Sequence, residues 1–422
     1  MLRPTLRPWG TVALLWGVAL FNYLDRLAIA SMRDPIREAI PMSDARFGLL
    51  TSVFLWTYGL LSPGGGYLAD RFGRSRVIVG SLLVWSAVLW LTGQAHTYSE
   101  MLWARALMGV SEACYLPAAL ALIADHHRGP TRSFATGLHM TGIYAGAALG
   151  GLGGYIADLW GWRAGFTLFG AAGVTYAGIL ALCLRDAPAP PSASSGLPPP
   201  QAIRFGTALR ALASSPAFRL LLAVATLVGI ANWCVNGWLP TYLRDRFHLS
   251  LGAAGLSATG YVQAASFFGV LLGGLAADRW SRRDPAGRSR VPAIGLGIAA
   301  PFLFLACSTA SLPWAIGGLA AYGIGRGCLD ANLMPLVRQV VDERFSATAY
   351  GVLNLAGCVA GGAMIYAGGR LQDAGGGLRP VFCLSALGLL ITGLLLLALG
   401  RPSPLPKSVT RFSNPPPENG HT

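Results

Sequence analysis

GYLADRFGRSR, residues 66–76, is a short charged turn between two long apolar segments, and a second version, GLAADRWSRR, returns at residues 274–283. In both copies an aspartate is followed at once by an arginine. A motif that recurs once in each half of a chain indicates that both halves follow one duplicated plan. The rest of the sequence can be divided on that basis.

The composition indicates a protein that lies in lipid. Of its 422 residues, 53% are hydrophobic and only 12% are charged, whereas soluble domains carry roughly 25% charged residues. About 20 apolar residues are needed to cross the ~30 Å hydrocarbon layer of a membrane. We predict an all-α membrane protein with twelve spanning helices in two pseudo-symmetric six-helix bundles. The predicted spans are residues 9–31, 47–69, 76–95, 101–124, 133–157, 163–184, 218–243, 252–277, 290–309, 313–337, 346–369 and 380–400.

A stretch rich in proline and serine separates the two bundles. Residues 187–202, APAPPSASSGLPPPQA, are predicted to be a flexible linker because this composition neither forms a helix nor packs a core. We therefore predict a first bundle over residues 1–186, a cytoplasmic linker over 187–217 and a second bundle over 218–400. Residues 401–422 are predicted to be a disordered cytoplasmic tail.

The basic side chains are unevenly distributed along the chain. A net charge of +14 would by itself suggest nucleic-acid binding. If the N-terminus lies inside, however, about two thirds of the 32 Lys and Arg fall in cytoplasmic connections, which is the positive-inside bias of membrane proteins. We predict cytoplasmic termini, contacts with anionic membrane lipids and no nucleic-acid partner. The sequence has no Asn-x-Ser/Thr sequon, which is consistent with a bacterial protein of the inner (plasma) membrane.

Several classes of chemistry are excluded by missing motifs. The seven cysteines lie in apolar segments without pairing or metal-ligand spacing, so we predict neither disulfides nor a metal site. The sequence also lacks a Gly-x-x-x-x-Gly-Lys-Ser/Thr phosphate loop and a nucleophile elbow. We therefore expect a protein that is not an enzyme, holds no cofactor and is a monomer.

Few ionisable residues fall within the predicted spans. A charge at mid-bilayer costs about 2.5–3.5 kcal/mol on insertion scales, so such residues face protein or water and suggest a functional site. They could also be internal ion pairs that only fix helix packing. Away from helix ends, the charged residues of this kind are Asp25, Arg26, Arg105, Glu112, Arg326 and Asp330.

The first and fourth spans carry a candidate proton relay. Arg105 and Glu112 are seven residues apart, hence about two turns apart on one helix face. Asp25 could reach Arg105 across the bundle, with Glu112 about 10 Å deeper. Arg26 points about 100° away from Asp25 around the helix, and could bind an anion or line the outer entrance.

The second half contributes further candidates for ligand binding or gating. Arg326 and Asp330 are spaced i, i+4 and could pair within their helix, or Arg326 could offer its planar donor fork to a carboxylate ligand. Asn232 and Asn236 share a face of the seventh span and could hydrogen-bond a hydroxylated ligand, while Pro240 could break that helix. Further polar candidates, each of which could equally be packing or an interfacial anchor, are Tyr58, Tyr115, Tyr144, Tyr261 and Gln263.

The charged turn at 66–76 resembles the signature loop of the major facilitator superfamily of transporters. The turn at 274–283 resembles the degenerate partner of that loop, with Ser281 where the first copy has Gly73. In that superfamily the loop is a cytoplasmic latch that favours the outward-open state; the alternative is a role in topology alone. The latch residues that this resemblance implies are Gly66, Asp70, Arg71, Gly73, Arg74, Asp278 and Arg279.

Three further motifs resemble the anion:cation symporter family within that superfamily. They are NYLDR at 22–26, RALMGVSE at 105–112 followed by Pro117, and WLPTYL at 238–243. The resemblance implies a proton-coupled symporter of a small organic anion, such as a sugar acid or an aromatic acid, that works by alternating access.

The same resemblance implies roles for individual residues. Asp25 and Glu112 would couple protons, and Arg105 would link them to the substrate. The first- and fourth-helix motifs also resemble the spinster lipid transporters. The alternative function is therefore a proton-linked exporter of a lysolipid.

Overall fold

The computed structural model describes residues 8–127, 132–187, 205–284, 286–341 and 346–399, and its regular structure is entirely helical within these ranges. In the first half the described helices are α1 (Pro8–Ser31), α2 (Arg33–Ala39), α3 (Asp44–Phe72), α4 (Arg74–Thr92), α5 (Tyr98–Glu112), α6 (Tyr115–His126), α7 (Arg132–Leu149), α8 (Leu152–Trp160) and α9 (Trp162–Cys183). After the linker they are α10 (Phe205–Ser214), α11 (Pro216–Phe247), α12 (Leu251–Ser281), α13 (Gly287–Ala306), α14 (Leu312–Val340), α15 (Ser346–Asp373) and α16 (Arg379–Leu399).

The predicted all-α membrane fold is confirmed, because each predicted span corresponds to one helix or to a pair of helices. Within the described ranges, nine helical stretches are long and apolar enough to cross a membrane, judged by length and composition. The fourth span is divided into α5 and α6, and the fifth into α7 and α8. Helix α10 lies inside the predicted linker 187–217, whereas residues 188–204 and 401–422 lie outside the described part of the chain.

Side-chain caps explain where several helices begin. The Ser43 hydroxyl accepts a hydrogen bond from Arg46 N at 3.2 Å, and Thr97 and Glu100 form a reciprocal capping box at the start of α5. Such caps satisfy backbone donors that have no partner within the first turn of a helix. These positions therefore fix where α3 and α5 enter the bundle.

Pro240 does not break the seventh span, which was one possibility left open by the sequence. Helix α11 runs without interruption from Pro216 to Phe247. Membrane helices tolerate an internal proline when the surrounding packing compensates for the lost backbone hydrogen bond. Around Pro240 the helix is buried, and the neighbouring Trp238 donates its indole N–H to the Ile365 carbonyl of α15 at 2.9 Å.

Each half is a bundle with its own packing. Helix α1 packs on α7 and α4 on α9 in the first half, while α12 and α13 pack on α14 in the second. The halves meet where α3 contacts α15 and where α7 and α8 contact α12. We call the end of the bundle that contains Pro8 and Leu399 the termini side, and the end that contains Asp44 and Asp373 the far side.

Candidate functional site

A buried ion pair lies in the interior of the first half. Arg26 Nη2 donates to Glu112 Oε2 at 2.7 Å, and the two side chains are only 2% and 0% exposed. Asn22 donates its Nδ2 to the same carboxylate oxygen at 2.8 Å, and its Oδ1 accepts from Arg26 at 3.2 Å. Asn22 and Arg26 are one turn apart on α1, and Glu112 is the last residue of α5. The three side chains form a closed polar cluster.

Aromatic rings surround the Arg26 guanidinium. Its central carbon lies 4.6 Å from the Tyr23 ring centroid, 5.0 Å from Phe54, 4.5 Å from Tyr58 and 5.8 Å from Trp233. A desolvated cation gains about 2 kcal/mol from a well-placed ring. Trp233 belongs to α11, so Arg26 lies where the second half meets the first.

Asp25 and Arg105 do not form the predicted contact with each other. Asp25 Oδ2 accepts a hydrogen bond from the Trp85 indole at 3.2 Å, while Arg105 Nε donates to the Leu50 carbonyl at 3.4 Å. The Arg105 guanidinium carbon lies 4.6 Å from the Phe54 ring centroid. Asp25 thus faces α4, and the cation beside Glu112 is supplied by Arg26, for which the sequence left two roles open.

The second half holds a matching charged pair on α14. Arg326 Nε lies 3.3 Å from Asp330 Oδ2, so the intrahelical pair that was one of the two sequence interpretations is present. Tyr144 of the first half donates its hydroxyl to Asp330 at 3.3 Å. The Arg326 Nη1 atom is buried and finds no hydrogen-bond acceptor among the described residues. The Tyr144–Asp330 hydrogen bond thus joins the charged pair of α14 to the first half.

Three amide side chains form a chain of hydrogen bonds in the second half. Gln263 donates to Asn236 Oδ1 at 3.4 Å, and Asn236 donates to Asn232 Oδ1 at 3.2 Å. The predicted common face of the two asparagines is therefore confirmed. Gln263, contributed by α12, is 2% exposed, and its Oε1 has no donor among the described residues.

The candidate tyrosines divide into central and peripheral positions. Tyr58 and Tyr144 contact the two charged clusters. Tyr115 is buried elsewhere in the first half, with its hydroxyl donating to the Leu15 carbonyl at 2.9 Å. Tyr261 is 51% exposed on an apolar stripe of α12 that also contains Phe268, and it does not join the cluster.

The first charged turn is tight and depends on a glycine. Helix α3 ends at Phe72, Gly73 has φ +91°, and α4 begins at Arg74. The Asp186 carboxylate then accepts a hydrogen bond from Ser75 N at 2.8 Å. Arg74 donates to the Ala121 carbonyl at 3.0 Å and pairs with Asp125, so the turn is fixed to α6.

The second turn is built differently. Ser281 is still helical, as the last residue of α12, and α13 begins only at Gly287. Asp278 pairs with Arg288 at 3.1 Å, and Arg279 is exposed. Without a glycine that adopts positive φ, the chain needs a longer connection. Arg71 is exposed in the first turn, and the surroundings of Gly66 and of the Asp70 side chain lie outside the described part of the structure.

Substitution of Gly73 should therefore be costly. Gly73→Ala is expected to lower the free energy of unfolding by about 1–3 kcal/mol, because Gly73, with φ +91° and ψ +131°, lies outside the regions that L-residues adopt readily. The new Cβ would also lie 2.9 Å from Asp186 Oδ2. Thermal unfolding in detergent checks this, with Gly80→Ala as the control, since no heavy atom lies within 4 Å of a Cβ at that helical position. Equal melting temperatures for the two variants would contradict the prediction.

A charged network that the sequence did not reveal closes the far side. Asp44 pairs with Arg33 and with Arg37 of α2, and Asp34 pairs with Arg33 and with Arg244 of the second half. A cavity of about 960 Å³ lies beside it. The lining residues are Arg33, Asp34, Arg37, Glu38, Pro41, Met42, Arg244, Asp245, His248 and Leu249. The signal in the sequence was the dense charge directly after the first span, RDPIRE at 33–38.

Curated proteins with similar sequences are transporters of several kinds. The chain is 31% identical to Protein spinster homolog 1 of Homo sapiens over 322 residues, which is 71% of this chain and 61% of that protein. It is 26% identical to an MFS-type efflux pump of Mycolicibacterium smegmatis, over 87% of this chain and 85% of the pump. It is also 26% identical to the probable sulfoacetate transporter SauU of Cupriavidus necator, over 83% and 84% of the two chains. The chain thus spans only about three fifths of the length of the spinster homologue.

Solved structures and family profiles agree on the fold. A bacterial homologue of the human lysosomal transporter spinster, in an inward-facing and unoccupied conformation, superimposes with a TM-score of 0.79. The match covers 94% of this chain and 98% of that one at 23% sequence identity. Residues 15–365 match the profile of the Major Facilitator Superfamily. The duplicated helical bundles and this match together establish that the chain belongs to the Major Facilitator Superfamily, a family of membrane transporters and not of enzymes.

Proposed function

We propose that the protein is a proton-coupled symporter of a small organic anion that works by alternating access. The observation that carries this proposal is the buried Arg26–Glu112 ion pair at the place where the two halves meet. A buried ion pair is poor evidence for stability alone, because desolvation offsets most of the attraction between the charges. Ionisable groups within a membrane are functional candidates by default.

The pair suggests how proton and anion binding would be linked. While Glu112 is ionised, it neutralises Arg26 at 2.7 Å. Protonation of Glu112 would leave Arg26 as a buried cation without its counter-charge, which is strongly unfavourable. A substrate anion can then replace the carboxylate beside Arg26. Proton and anion would therefore enter together, because only the combination of the two leaves no buried charge unpaired.

The other polar groups have secondary roles in this proposal. Asp25, buried against Trp85, is the second candidate proton site, and Arg105 contacts the same Phe54 ring as Arg26. Arg326, whose Nη1 finds no acceptor among the described residues, would supply a second cationic contact from the other half. The amides at Asn232, Asn236 and Gln263 would hydrogen-bond polar groups of the substrate.

The distribution of basic residues supports an orientation for this transporter. We propose that the termini side faces the cytoplasm of a bacterial cell, because most arginines of the connections lie on that side. The charged turn at 66–76 would then be a cytoplasmic latch. Arg74 is already fixed to α6 through Asp125 and the Ala121 carbonyl.

A lysolipid is the second candidate substrate. The similarity to spinster homologues favours it, although the chain spans about three fifths of the human protein. Arg26 and its aromatic surroundings suit an anionic headgroup of a lipid as well as a soluble carboxylate. The two candidates differ in whether the ligand also needs an apolar tail.

A ligand screen by thermal shift tests the proposal. Purified protein is compared with sugar acids, aromatic acids, sulfonates and lysophospholipids at mildly acidic and at neutral pH. We expect a water-soluble organic anion to raise the melting temperature, and more strongly at the acidic pH, because protonated Glu112 frees Arg26. The stabilisation should disappear in Arg26→Gln.

Arg46→Gln is the matched control, because Arg46 also lies over a tyrosine, Tyr98, at 5.5 Å, but on the exposed far side. It should keep the ligand response. A shift with lysophospholipids alone would favour the lipid exporter. A response that survives in Arg26→Gln would overturn the proposed anion site.

A further inference from the structure

The first turn of α3 is completed by a residue of the opposite half. The Ser43 hydroxyl caps Arg46 N, but the two preceding backbone donors need another acceptor. Asp44 N and Ala45 N donate to the two carboxylate oxygens of Asp373 at 2.6 and 2.9 Å. Asp373 is the last residue of α15, so this contact joins the second half to the first on the far side.

The first turn of α12 is completed in the same way with the halves exchanged. The Ser250 hydroxyl caps Ala253 N at 3.2 Å. The preceding donor, Gly252 N, donates to Asp158 Oδ2 at 2.9 Å. Asp158 lies near the end of α8, in the first half.

The two aspartates that make these contacts lie in similar stretches of sequence, one in each half. GGYIAD at residues 153–158 corresponds to GGRLQD at 368–373, with a glycine four residues before each aspartate. A Cβ at Gly154 would lie 2.5 Å from the Leu251 carbonyl oxygen, and a Cβ at Gly369 would lie 2.3 Å from that of Asp44. Small residues at these positions let each helix approach the start of its partner closely. In each copy the glycine lets the backbone of the partner helix approach closely, and the aspartate one turn later accepts hydrogen bonds from that backbone.

We propose that Asp158 and Asp373 are positioning residues that form a duplicated far-side closure and set the balance between the two access states. A carboxylate is favourable at a helix N-terminus because the helix dipole and the free N–H groups both attract negative charge. Opening the far side separates each carboxylate from its helix. This proposal goes beyond the substrate and the coupling ion, because it applies to the transport cycle whatever is carried.

The distance between the halves on the far side tests the proposal directly. Spin labels on cysteines introduced at Gln94 and Ala310, both exposed in far-side connections, report this distance in a background without the native cysteines. Asp158→Ala and Asp373→Ala should each raise the ratio of far-side-open to far-side-closed molecules about fivefold, the effect of losing a typical cap. The double variant should raise the ratio by about 25-fold if the two caps act independently.

The control is Glu100→Ala. The Glu100 carboxylate accepts a hydrogen bond from His96 N at 2.8 Å at the start of α5 on the same far side, but both residues belong to the first half. It should lower the melting temperature without changing the distance between the labels. The milder variants Asp158→Asn and Asp373→Asn serve if an alanine variant does not fold. If the changes at 158 and 373 shift the distance distribution no more than the change at 100, the proposal is wrong.

Discussion

Glu112→Gln is expected to abolish substrate accumulation driven by a pH gradient in proteoliposomes, while exchange of internal for external substrate persists. Glutamine keeps the shape of the side chain and can still accept hydrogen bonds from Asn22 and Arg26, but its amide does not titrate and cannot carry the coupling proton. Arg26 would then be permanently free to bind the anion. The substrate for this assay is the organic acid that most stabilises the wild-type protein.

Glu100→Gln is the matched control for this experiment. It is the same substitution in the same helix, at an exposed residue of the capping box on the far side. Its accumulation should equal that of the wild type. Intact accumulation in Glu112→Gln would show that the coupling proton is carried elsewhere, with Asp25 as the next residue to change.

Arg26→Gln is expected to lower the free energy of unfolding by about 3–5 kcal/mol at neutral pH, because it leaves the buried Glu112 carboxylate without its cation. The loss should become smaller as the pH falls, because a protonated Glu112 has no charge to neutralise. Thermal unfolding in detergent at several pH values measures both effects.

A second substitution distinguishes the contribution of the Arg26 charge to stability from that of its packing against the aromatic rings. Arg26→Gln combined with Glu112→Gln should recover most of the lost stability, because no buried charge is then left unpaired. Arg37→Gln is the control, since it removes a partner of Asp44 that is 29% exposed and should cost no more than about 1 kcal/mol. If the combined variant is no more stable than Arg26→Gln, the main contribution of Arg26 is its packing against the aromatic rings.

The fold could be predicted from the sequence because membrane helices are specified mainly by apolar length, and the duplicated turn fixed the division into halves. The breaks inside the fourth and fifth spans could not be predicted from the sequence. Ala113 and Cys114 separate α5 from α6 inside an apolar stretch, and both keep right-handed helical φ and ψ. The break is an interruption of the helical hydrogen bonds, which hydropathy does not register. Pro240 is the reverse case, because buried packing keeps α11 continuous where the residue type suggested a break.

The charged residues of the two buried clusters could be named from the sequence, but not all of the contacts that they form. Helical periodicity indicates that Asp25 and Arg26 point about 100° apart, but not which of them faces α5. The rotation of α1 is set by its packing on α7, and it directs Asp25 to Trp85 and Arg26 to Glu112. The pairing of Arg326 with Asp330 was easier to predict, because residues spaced i, i+4 contact each other within one helix and do not depend on a neighbouring helix. Tyr261 faces outward because it lies on the stripe of α12 opposite Gln263, which residue type alone does not reveal.

The two caps at Asp158 and Asp373 also have a geometric consequence. Two fixed points between rigid bodies define an axis, and only rotation about that axis leaves both points in place. While both caps are intact, the halves can still turn about the line that joins them, so the termini side can open and shut with little change to either contact. The far side would thus act as a hinge while the termini side opens, and as the entrance to the binding site when the far side itself opens.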